Sequence, residues 1–428
     1  MEILILVLSF IFLLLLGVPV AWGIGLSSLF TMLVSIPTLP AFTTVAQRMA
    51  TGLDSFALLA IPFFVLAGQI MNRGGIAQRL VNFARTLVGA LPGGLAHVNI
   101  IAAMLFGAIA GSAAAAASAI GSFMTKAMTD EGYSREFSAA VNITASTTGL
   151  IIPPSNVLIV YSLASGGVSI AALFLAGYIP GILTGLALMT AAGIWAKRKG
   201  LTQGKRSSLG EVWRTFIAAL PGLLLLVVVI GGIVAGIFTA TEASAVAVLY
   251  CLLLTFVYRE ISWKELPEVF LQSVATTAIV MLLIGASMSM SWIMAYENIP
   301  QSITELLLSV SDSKIVVLLI INAILLFVGI FMDMTPAVLI FTPIFLPVVT
   351  QLGISPIHFG IMMVLNLCIG LCTPPVGSIL FVGVGVANTT IEKVIRPLLL
   401  FFLAMVLCLL LVTYLPGLSL WLPGVFGF

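Results

Sequence analysis

Apolar stretches long enough to cross a lipid bilayer follow one another along the whole chain. A spanning helix needs about 20 mainly apolar residues, or fewer where the bilayer thins around it. Candidate spans lie at 2–16, 19–35, 52–72, 137–163, 169–196, 215–234, 240–257, 269–295, 357–383 and 397–417. The sequence therefore predicts an all-α polytopic membrane protein, with the lipid bilayer as its first partner.

The composition excludes the main classes of soluble protein. Of the 428 residues, 61% are apolar and 7% are charged, whereas a soluble domain carries roughly 25% charged residues. Such a chain cannot cover a water-exposed surface of its own size, and a net charge of +2 gives no basic surface for nucleic acid. A membrane enzyme would need a catalytic group such as HExxH or a Ser/His pair at depth, and we expect no enzyme.

Two further apolar stretches, 95–127 and 315–347, are too long for one simple span. Each is interrupted near its middle, by Gly111 and Ser112 in the first and by residues 333–336 in the second. Backbone that breaks at membrane depth is tolerated only where protein or a water-filled cavity covers it. Each stretch is therefore predicted to form a re-entrant hairpin, which enters the membrane, turns near the midplane and returns on the same side.

The second half of the sequence repeats features of the first at an offset of about 221 residues. Gly149 recurs as Gly370, and the double proline at 153–154 recurs at 374–375. This offset predicts two repeats joined by a linker. The units are a first repeat at 1–200 with a hairpin at 95–127 and a broken helix at 137–163, a linker at 201–214, and a second repeat at 215–428 with a hairpin at 315–347 and a broken helix at 357–383.

The basic residues indicate how the repeats lie in the membrane. Five full spans and one hairpin in each repeat give the repeats opposite orientations and leave both termini on one side. With the termini outside, only Arg48 and Lys314 of the 17 Lys and Arg residues lie outside, and 15 (17 minus 2) lie on the cytoplasmic side. Cytoplasmic segments carry an excess of basic residues. The pattern predicts inverted repeats, a cytoplasmic linker at 201–214 and a short outer connection at 36–51.

Inverted repeats with broken helices are typical of secondary transporters, and Asp333 is the acidic residue predicted near the midplane. A carboxylate inside the membrane is costly and by default functional, so Asp333 is a candidate cation ligand. The alternative is a structural cap for the returning helix, with Thr335 and Pro336 in its first turn. The two roles are compatible.

The double prolines are candidate cation sites as well. Each removes amide donors and leaves upstream carbonyls without partners, at a helix end that carries negative potential. Such carbonyls suit Na⁺, and the hydroxyls of Thr147, Thr148 and Thr373 could add to them. The alternative is a plain proline kink in a packed helix.

The first hairpin tip offers small and polar groups of another kind. Gly111, Ser112 and the alanines that follow allow close approach of a ligand, or alternatively of a neighbouring helix. Ser155 follows the first double proline where a half-helix begins, and its hydroxyl and the amides there suit a carboxylate. We expect structural roles for Asp54, as a cap of the span at 52–72, and for Glu242, as a polar contact where two spans meet.

Five motifs distributed along the chain carry a resemblance to a known family. They are GAIAGSAAAAASAIGS (107–122), IIPPSN (151–156), GIFTATEAS (236–244), MDMTPAVLIFTPIFLPV (332–348) and TPPVG (373–377). On these motifs the chain resembles the large membrane subunit (M subunit) of the TRAP transporters, the tripartite ATP-independent periplasmic transporters. It departs from the family's TPTEA pattern at Ala240, which changes a span junction and leaves the proposed sites untouched.

The resemblance implies more than the residues alone. It implies an elevator-type transporter of the bacterial inner membrane, with a scaffold domain, a mobile transport domain and periplasmic termini. Its partners would be a small four-helix membrane subunit, expected as a separate chain because nothing precedes Met1, and a periplasmic substrate-binding protein. Two or more Na⁺ ions would drive the uptake of organic acid anions.

The resemblance also assigns roles residue by residue, by motif. The first Na⁺ site would use Gly111, Ser112, Thr147, Gly149 and Pro153. The second Na⁺ site would use Asp333, Thr335, Gly370 and Thr373. The substrate would be bound by Ser112, Ala113 and Ser155.

The substrate itself is less constrained than the mechanism. The resemblance favours the sialic acid (N-acetylneuraminate) branch, and C4-dicarboxylates such as succinate, malate and fumarate are the alternative. An ion channel or antiporter is a further alternative, but it would want a continuous polar path or a chain of titratable groups. A lone midplane Asp argues against a proton relay.

Overall fold

The computed structural model describes residues 2–200, 207–311 and 313–428, and in these ranges the regular structure is helical. The first half contains α1 (Glu2–Leu15), α2 (Val20–Ser35), α3 (Thr38–Leu53), a 3₁₀ turn (Phe56–Leu59), α4 (Ala60–Arg73), α5 (Ile76–Val88), α6 (Gly94–Ala110), α7 (Ala113–Asp130), α8 (Arg135–Thr148), α9 (Asn156–Ala164) and α10 (Ile170–Arg198). The second half contains α11 (Leu209–Val234), α12 (Ala240–Tyr258), α13 (Leu266–Tyr296), α14 (Ile299–Val310), α15 (Lys314–Phe331), α16 (Met334–Gln351), α17 (Pro356–Gly370), α18 (Ser378–Ala387), α19 (Ile391–Tyr414) and α20 (Gly417–Val425). Among the described residues, 8 helices are long and apolar enough to cross a membrane. The predicted all-α polytopic membrane fold is confirmed.

The helices of the two halves begin at matching positions. Helices α5 to α10 begin at 76, 94, 113, 135, 156 and 170, and α14 to α19 begin at 299, 314, 334, 356, 378 and 391. The differences run from 220 (314 minus 94) to 223 (299 minus 76). The helix contacts of the two halves correspond as well. Helix α6 packs on α8, and its counterpart α15 packs on α17. Helix α7 packs on α18, and its counterpart α16 packs on α9. Each hairpin thus contacts the broken helix of the other half, while the predicted membrane orientation stays a prediction.

The two halves meet where their broken helices end. Cys368 lies 221 residues after Thr147, and its Sγ donates to the Thr147 carbonyl at 3.4 Å. Each hairpin also crosses its own broken helix at a pair of glycines. A Cβ at Gly107 would lie 2.8 Å from the Cα of Gly149, and a Cβ at Gly370 would lie 2.6 Å from the carbonyl carbon of Gly329. Such close approach needs residues without side chains at these crossings.

The prediction of a short connecting loop at 36–51 is wrong, because most of this segment is helical. The structure has a helix there, α3, which ends at Leu53 and packs along α13. The guanidinium of Arg48 lies 5.4 Å from the centre of the Trp292 ring. Asp54 is the C-cap of α3 and not the predicted cap of the following span. At the same offset the second half has one continuous helix of 31 residues, α13.

Side-chain caps at the starts of α11 and α12 bear on two of the predictions. Glu242 and Thr239 form a capping box, in which Glu242 Oε2 accepts from the Thr239 amide at 2.8 Å and Thr239 Oγ1 accepts from the Glu242 amide at 3.2 Å. This confirms the structural role predicted for Glu242. Ser208 caps α11, which begins at Leu209 inside the predicted linker, because its hydroxyl accepts from the Glu211 amide at 3.2 Å. The remainder of that linker, 201–206, lies outside the described residues.

Candidate functional site

A polar cavity of about 570 Å³ lies between the two hairpin tips. Both hairpins, both helix breaks, α4 and α13 contribute to its wall. The polar or small residues that line it include Gln69, Asn72, Gly111, Ser112, Ala113, Ser118, Asn156, Thr276, Asp333, Thr335 and Ser378. The structure therefore brings together residues that are more than 200 positions apart in the sequence, as two hairpins at matching positions of the two halves allow.

The first hairpin tip turns at Gly111 and Ser112. Gly111 has a φ of +60°, which glycine adopts without the steric cost of a Cβ. A Cβ there would also lie 2.7 Å from Asn156 Nδ2, so the tip rests directly against the start of α9. Ser112 is the N-cap of α7, and its Oγ accepts from the Ala115 amide at 3.3 Å. The predicted tip residues Gly111, Ser112 and Ala113 all line the cavity.

The second hairpin tip carries the charge. Asp333 stands at the N-cap of α16 but makes no side-chain capping hydrogen bond, so the structural alternative for this residue is not realised. Its carboxylate is exposed to the cavity, where Ser378 Oγ donates to Oδ1 at 3.4 Å. Thr335 lines the same wall. A carboxylate with no capping hydrogen bond and one long hydrogen bond from Ser378 is available to a cation.

The first helix break is more closed than the sequence suggested. Ser155 is fully buried: its hydroxyl donates to the Leu150 carbonyl and accepts from the Leu158 amide at 3.5 Å. Thr147 is also fully buried, and its hydroxyl donates to the Thr144 carbonyl at 2.9 Å. Neither residue lines the cavity, and nor do Gly149 and Pro153. Of the residues predicted for the first Na⁺ site, only those of the hairpin tip face the cavity.

The second helix break is tied to its own hairpin. The Gly377 amide donates to the Ile330 carbonyl at 3.0 Å, which holds the break beside the last turn of α15. The Gly370 carbonyl accepts from the Thr373 amide at 2.9 Å, and the Thr373 hydroxyl donates to the Ile369 carbonyl at 2.7 Å. Gly370 and Thr373 do not line the cavity, whereas Asp333 and Thr335 do.

Several polar residues of the wall were not predicted. Asn156 lies in the motif at 151–156, and its Oδ1 is buried without a hydrogen-bond partner within the described parts of the chain. Gln69 and Asn72 come from α4, and Thr276 comes from α13. Gln69 and Asn72 could have been found from the sequence. They are polar residues three positions apart in an otherwise apolar span, and this spacing places both side chains on one helix face.

The charges of the cavity restrict what can bind there. Asp333 is the only charged residue among the described residues that line it, and none of them is Lys, Arg or His. Within the described ranges no three His, Cys, Asp or Glu residues form a metal-binding group. A hard cation bound by carboxylate, hydroxyl and carbonyl oxygens suits this donor set. An anion would have to enter together with cations, because no basic side chain lines the wall.

Comparison with known proteins gives one consistent family. The profile described as "Tripartite ATP-independent periplasmic transporter, DctM component" matches residues 7–418. The chain is 57% identical to the uncharacterized protein YgiK of Salmonella typhimurium, over 98% of this chain and 96% of that protein. It is 39% identical to the C4-dicarboxylate TRAP transporter large permease protein DctM of Rhodobacter capsulatus, over 97% of each chain.

A third relative is the isethionate TRAP transporter permease protein DctMQ of Oleidesulfovibrio alaskensis, which is 42% identical over 95% of this chain and 64% of its own length. Other relatives carry the names of sialic acid and 2,3-diketo-L-gulonate permeases. The solved structure of the YdaH transporter of Alcanivorax borkumensis has the same fold, with a TM-score of 0.66 over 89% of both chains and 14% identity.

Proposed function

This chain belongs to the DctM family, the large permeases of the tripartite ATP-independent periplasmic transporters, and from that membership we propose that it imports an organic acid anion together with Na⁺. It is a multi-pass membrane permease and not an enzyme. The observation that carries the proposal is the cavity between the hairpin tips, with one carboxylate and no basic side chain along its described lining.

The charge of this cavity favours a monoanion as substrate. Charges in a poorly solvated site are costly unless they are balanced. With Asp333 at −1, two Na⁺ ions leave a charge of +1, which one carboxylate neutralises. A dicarboxylate would require a further cation. A hydroxylated monocarboxylate also suits the neutral hydrogen-bonding groups of Gln69, Asn72 and Asn156, and about 570 Å³ lies within the usual range of small-molecule sites.

We therefore infer sialic acid (N-acetylneuraminate) as the substrate, with C4-dicarboxylates as the alternative because relatives of equal identity carry both names. In this proposal the chain acts in the bacterial inner membrane with a small membrane subunit and a periplasmic binding protein. The isethionate permease named DctMQ supports a partner of this kind, since this chain spans only 64% of its length. The hairpins and broken helices would move together as the transport domain of an elevator.

The test is uptake into proteoliposomes that contain this chain, the small subunit and the binding protein. Labelled N-acetylneuraminate is supplied with and without an inward Na⁺ gradient, and succinate and isethionate are added as competitors. We expect uptake that requires Na⁺ and the binding protein, that resists excess succinate, and that increases when the interior is made negative. Inhibition by succinate would move the assignment to dicarboxylates, and flux without Na⁺ would contradict the coupling.

A further inference from the structure

A second cavity, of about 730 Å³, lies on the other side of the second hairpin. One wall is α1, the first helix of the chain, and the opposite wall is the outer face of α15 and α16, which form that hairpin. The C-terminal end of α13 and the start of α14 close one side of this cavity. The cavity thus separates the first helix from the hairpin that carries Asp333.

The walls of this cavity leave large apolar side chains uncovered. Helix α1 packs on α2, yet its residues Val7 and Ile11 on the cavity side are each 47% exposed. Across the gap, Phe327 and Phe331 of α15 are 64% and 52% exposed. Uncovered apolar area costs about 25 cal/mol per Å² in water, so these surfaces require an apolar neighbour.

The chemistry of the lining identifies the kind of neighbour. All described residues that line the cavity are aliphatic, aromatic, Met, Gly or Pro, so no lining side chain offers a strong hydrogen-bond donor or acceptor. Apolar cavities of about 150 Å³ stay dry and bind molecules such as benzene. The present cavity is several times larger and is continuous with the lipid-facing surface of α1, where Leu4 and Leu8 are 62% and 57% exposed.

A transmembrane helix of a partner is the alternative apolar neighbour. Such a helix is a rigid rod about 10 Å across, and it would cover the opening of the cavity without following the wall. A flexible hydrocarbon chain can enter through the lipid-facing opening and follow the irregular wall.

We propose that an acyl chain of a bilayer lipid occupies the cavity between α1 and the second hairpin. Met332 lines this apolar cavity, whereas its neighbour Asp333 lines the polar cavity. The acyl chain therefore packs against the back of the hairpin tip whose front faces the polar cavity. The acyl chain fills the gap between α1 and the hairpin with a fluid layer. In the elevator movement of the proposed function, the hairpin can then slide past α1 without breaking a fixed protein interface.

The test uses a phospholipid with a photoactivatable diazirine at the middle of one acyl chain, in phosphatidylethanolamine/phosphatidylglycerol liposomes. Ile340 and Ile344 of α16 line the cavity but are only 6% and 9% exposed. A chain bound in the cavity labels them, whereas bulk lipid has little access. Leu403 of α19, 59% exposed, reports labelling by bulk lipid.

Matched variants on α1 distinguish labelling by a lipid in the cavity from labelling by bulk lipid. The double variant Val7→Trp/Ile11→Trp fills the cavity from α1 and is expected to lower α16 labelling several-fold, with α19 labelling unchanged. The control Leu4→Trp/Leu8→Trp places comparable bulk, with the same spacing, on exposed residues of α1 that do not line the cavity, and both labels should stay at the wild-type level.

Two results would overturn the proposal. The first is α16 labelling of the wild type no greater than that of α8, whose helix is buried throughout from Phe137 to Thr148. The second is α16 labelling that the cavity-filling variant leaves unchanged. If the double variant fails to fold, the single variant Ile11→Trp takes its place, with the same expected loss of α16 labelling and the same contradicting result. The labelling is repeated with the small subunit present, where loss of the α16 label to a subunit cross-link would also contradict it.

Discussion

The two halves of the polar cavity are built from corresponding segments, but they use their polar atoms in opposite ways. In the first half, Ser112 and Ser155 each cap the helix that follows them. In the second half the corresponding N-cap positions hold Asp333, which makes no side-chain cap, and Gly377, which has no side chain to make one. The first half caps the starts of these two helices, and the second leaves the Asp333 carboxylate without a capping hydrogen bond. We therefore expect cation binding to be concentrated in the second half.

The largest expected effect comes from removing that carboxylate. Asp333→Asn deletes the only charge among the described lining residues. Interactions with a charged group are worth about 1.5–3 kcal/mol, so the apparent affinity for Na⁺ should fall roughly ten- to a hundredfold. The measurement is the Na⁺ dependence of uptake in proteoliposomes.

The matched control is Asp130→Asn, which removes an exposed carboxylate at the end of α7, away from the cavity. It should leave the Na⁺ dependence unchanged. Equal effects of the two variants would show that net charge, and not the position of Asp333, sets the coupling.

The glycine crossings test whether the two halves are equally close-packed. Gly149→Ala would place a methyl group against Gly107, and Gly370→Ala would place one against Gly329. Overpacking of this kind costs about 1–3 kcal/mol, so both variants should unfold at lower temperature than the wild type in a thermal scan of the purified protein.

Gly231→Ala serves as the reference, because a Cβ at that position meets no atom within 4 Å. It should be neutral or slightly stabilising, since alanine favours helix by about 0.5–1 kcal/mol over glycine. A loss in only one of the two crossing variants would mean that the halves are not packed alike.

The two capping serines should separate binding from stability. Loss of a helix cap costs about 0.5–2 kcal/mol, so Ser112→Ala and Ser155→Ala should both lower thermal stability. Because Ser112 also lines the cavity and Ser155 is buried, only Ser112→Ala should raise the substrate KM in the uptake assay. A raised KM for Ser155→Ala alone would favour the carboxylate role that the sequence assigned to Ser155.

The smallest effect is expected at Ser378. Its hydroxyl donates to Asp333 at 3.4 Å in an exposed position, which is a long and therefore weak hydrogen bond. Ser378→Ala should change the apparent Na⁺ affinity by less than about threefold, given about 0.5 kcal/mol for such a bond. A tenfold change would mean that Ser378 itself is a ligand.

Features that interrupt an apolar sequence could be read in advance. The tips at Gly111 and Asp333 stand out because small or polar residues interrupt long apolar stretches there, and the double prolines stand out because they recur at the same offset. Helix α3 could not be read in this way, because Gln47, Arg48 and several threonines make it resemble a connection. Ser155 and Thr147 can be buried because their hydroxyls donate to carbonyls five and three residues away in the chain. The sequence does not reveal these local hydrogen bonds. A motif shows which residues are close to a break but not which side chains face a cavity.

Helix α13 lines both cavities, so we expect the shape of each cavity to depend on membrane thickness. Its 31 residues extend about 46 Å at 1.5 Å per residue, whereas the hydrocarbon layer is about 30 Å thick. The helix must therefore tilt or project, and the extent of either changes with the lipid. Thr276 and Val280, toward the middle of this helix, line the polar cavity, and Met290 and Met294, near its C-terminal end, line the apolar one. Thinner or thicker bilayers should thus alter the shape of both sites through one rigid rod.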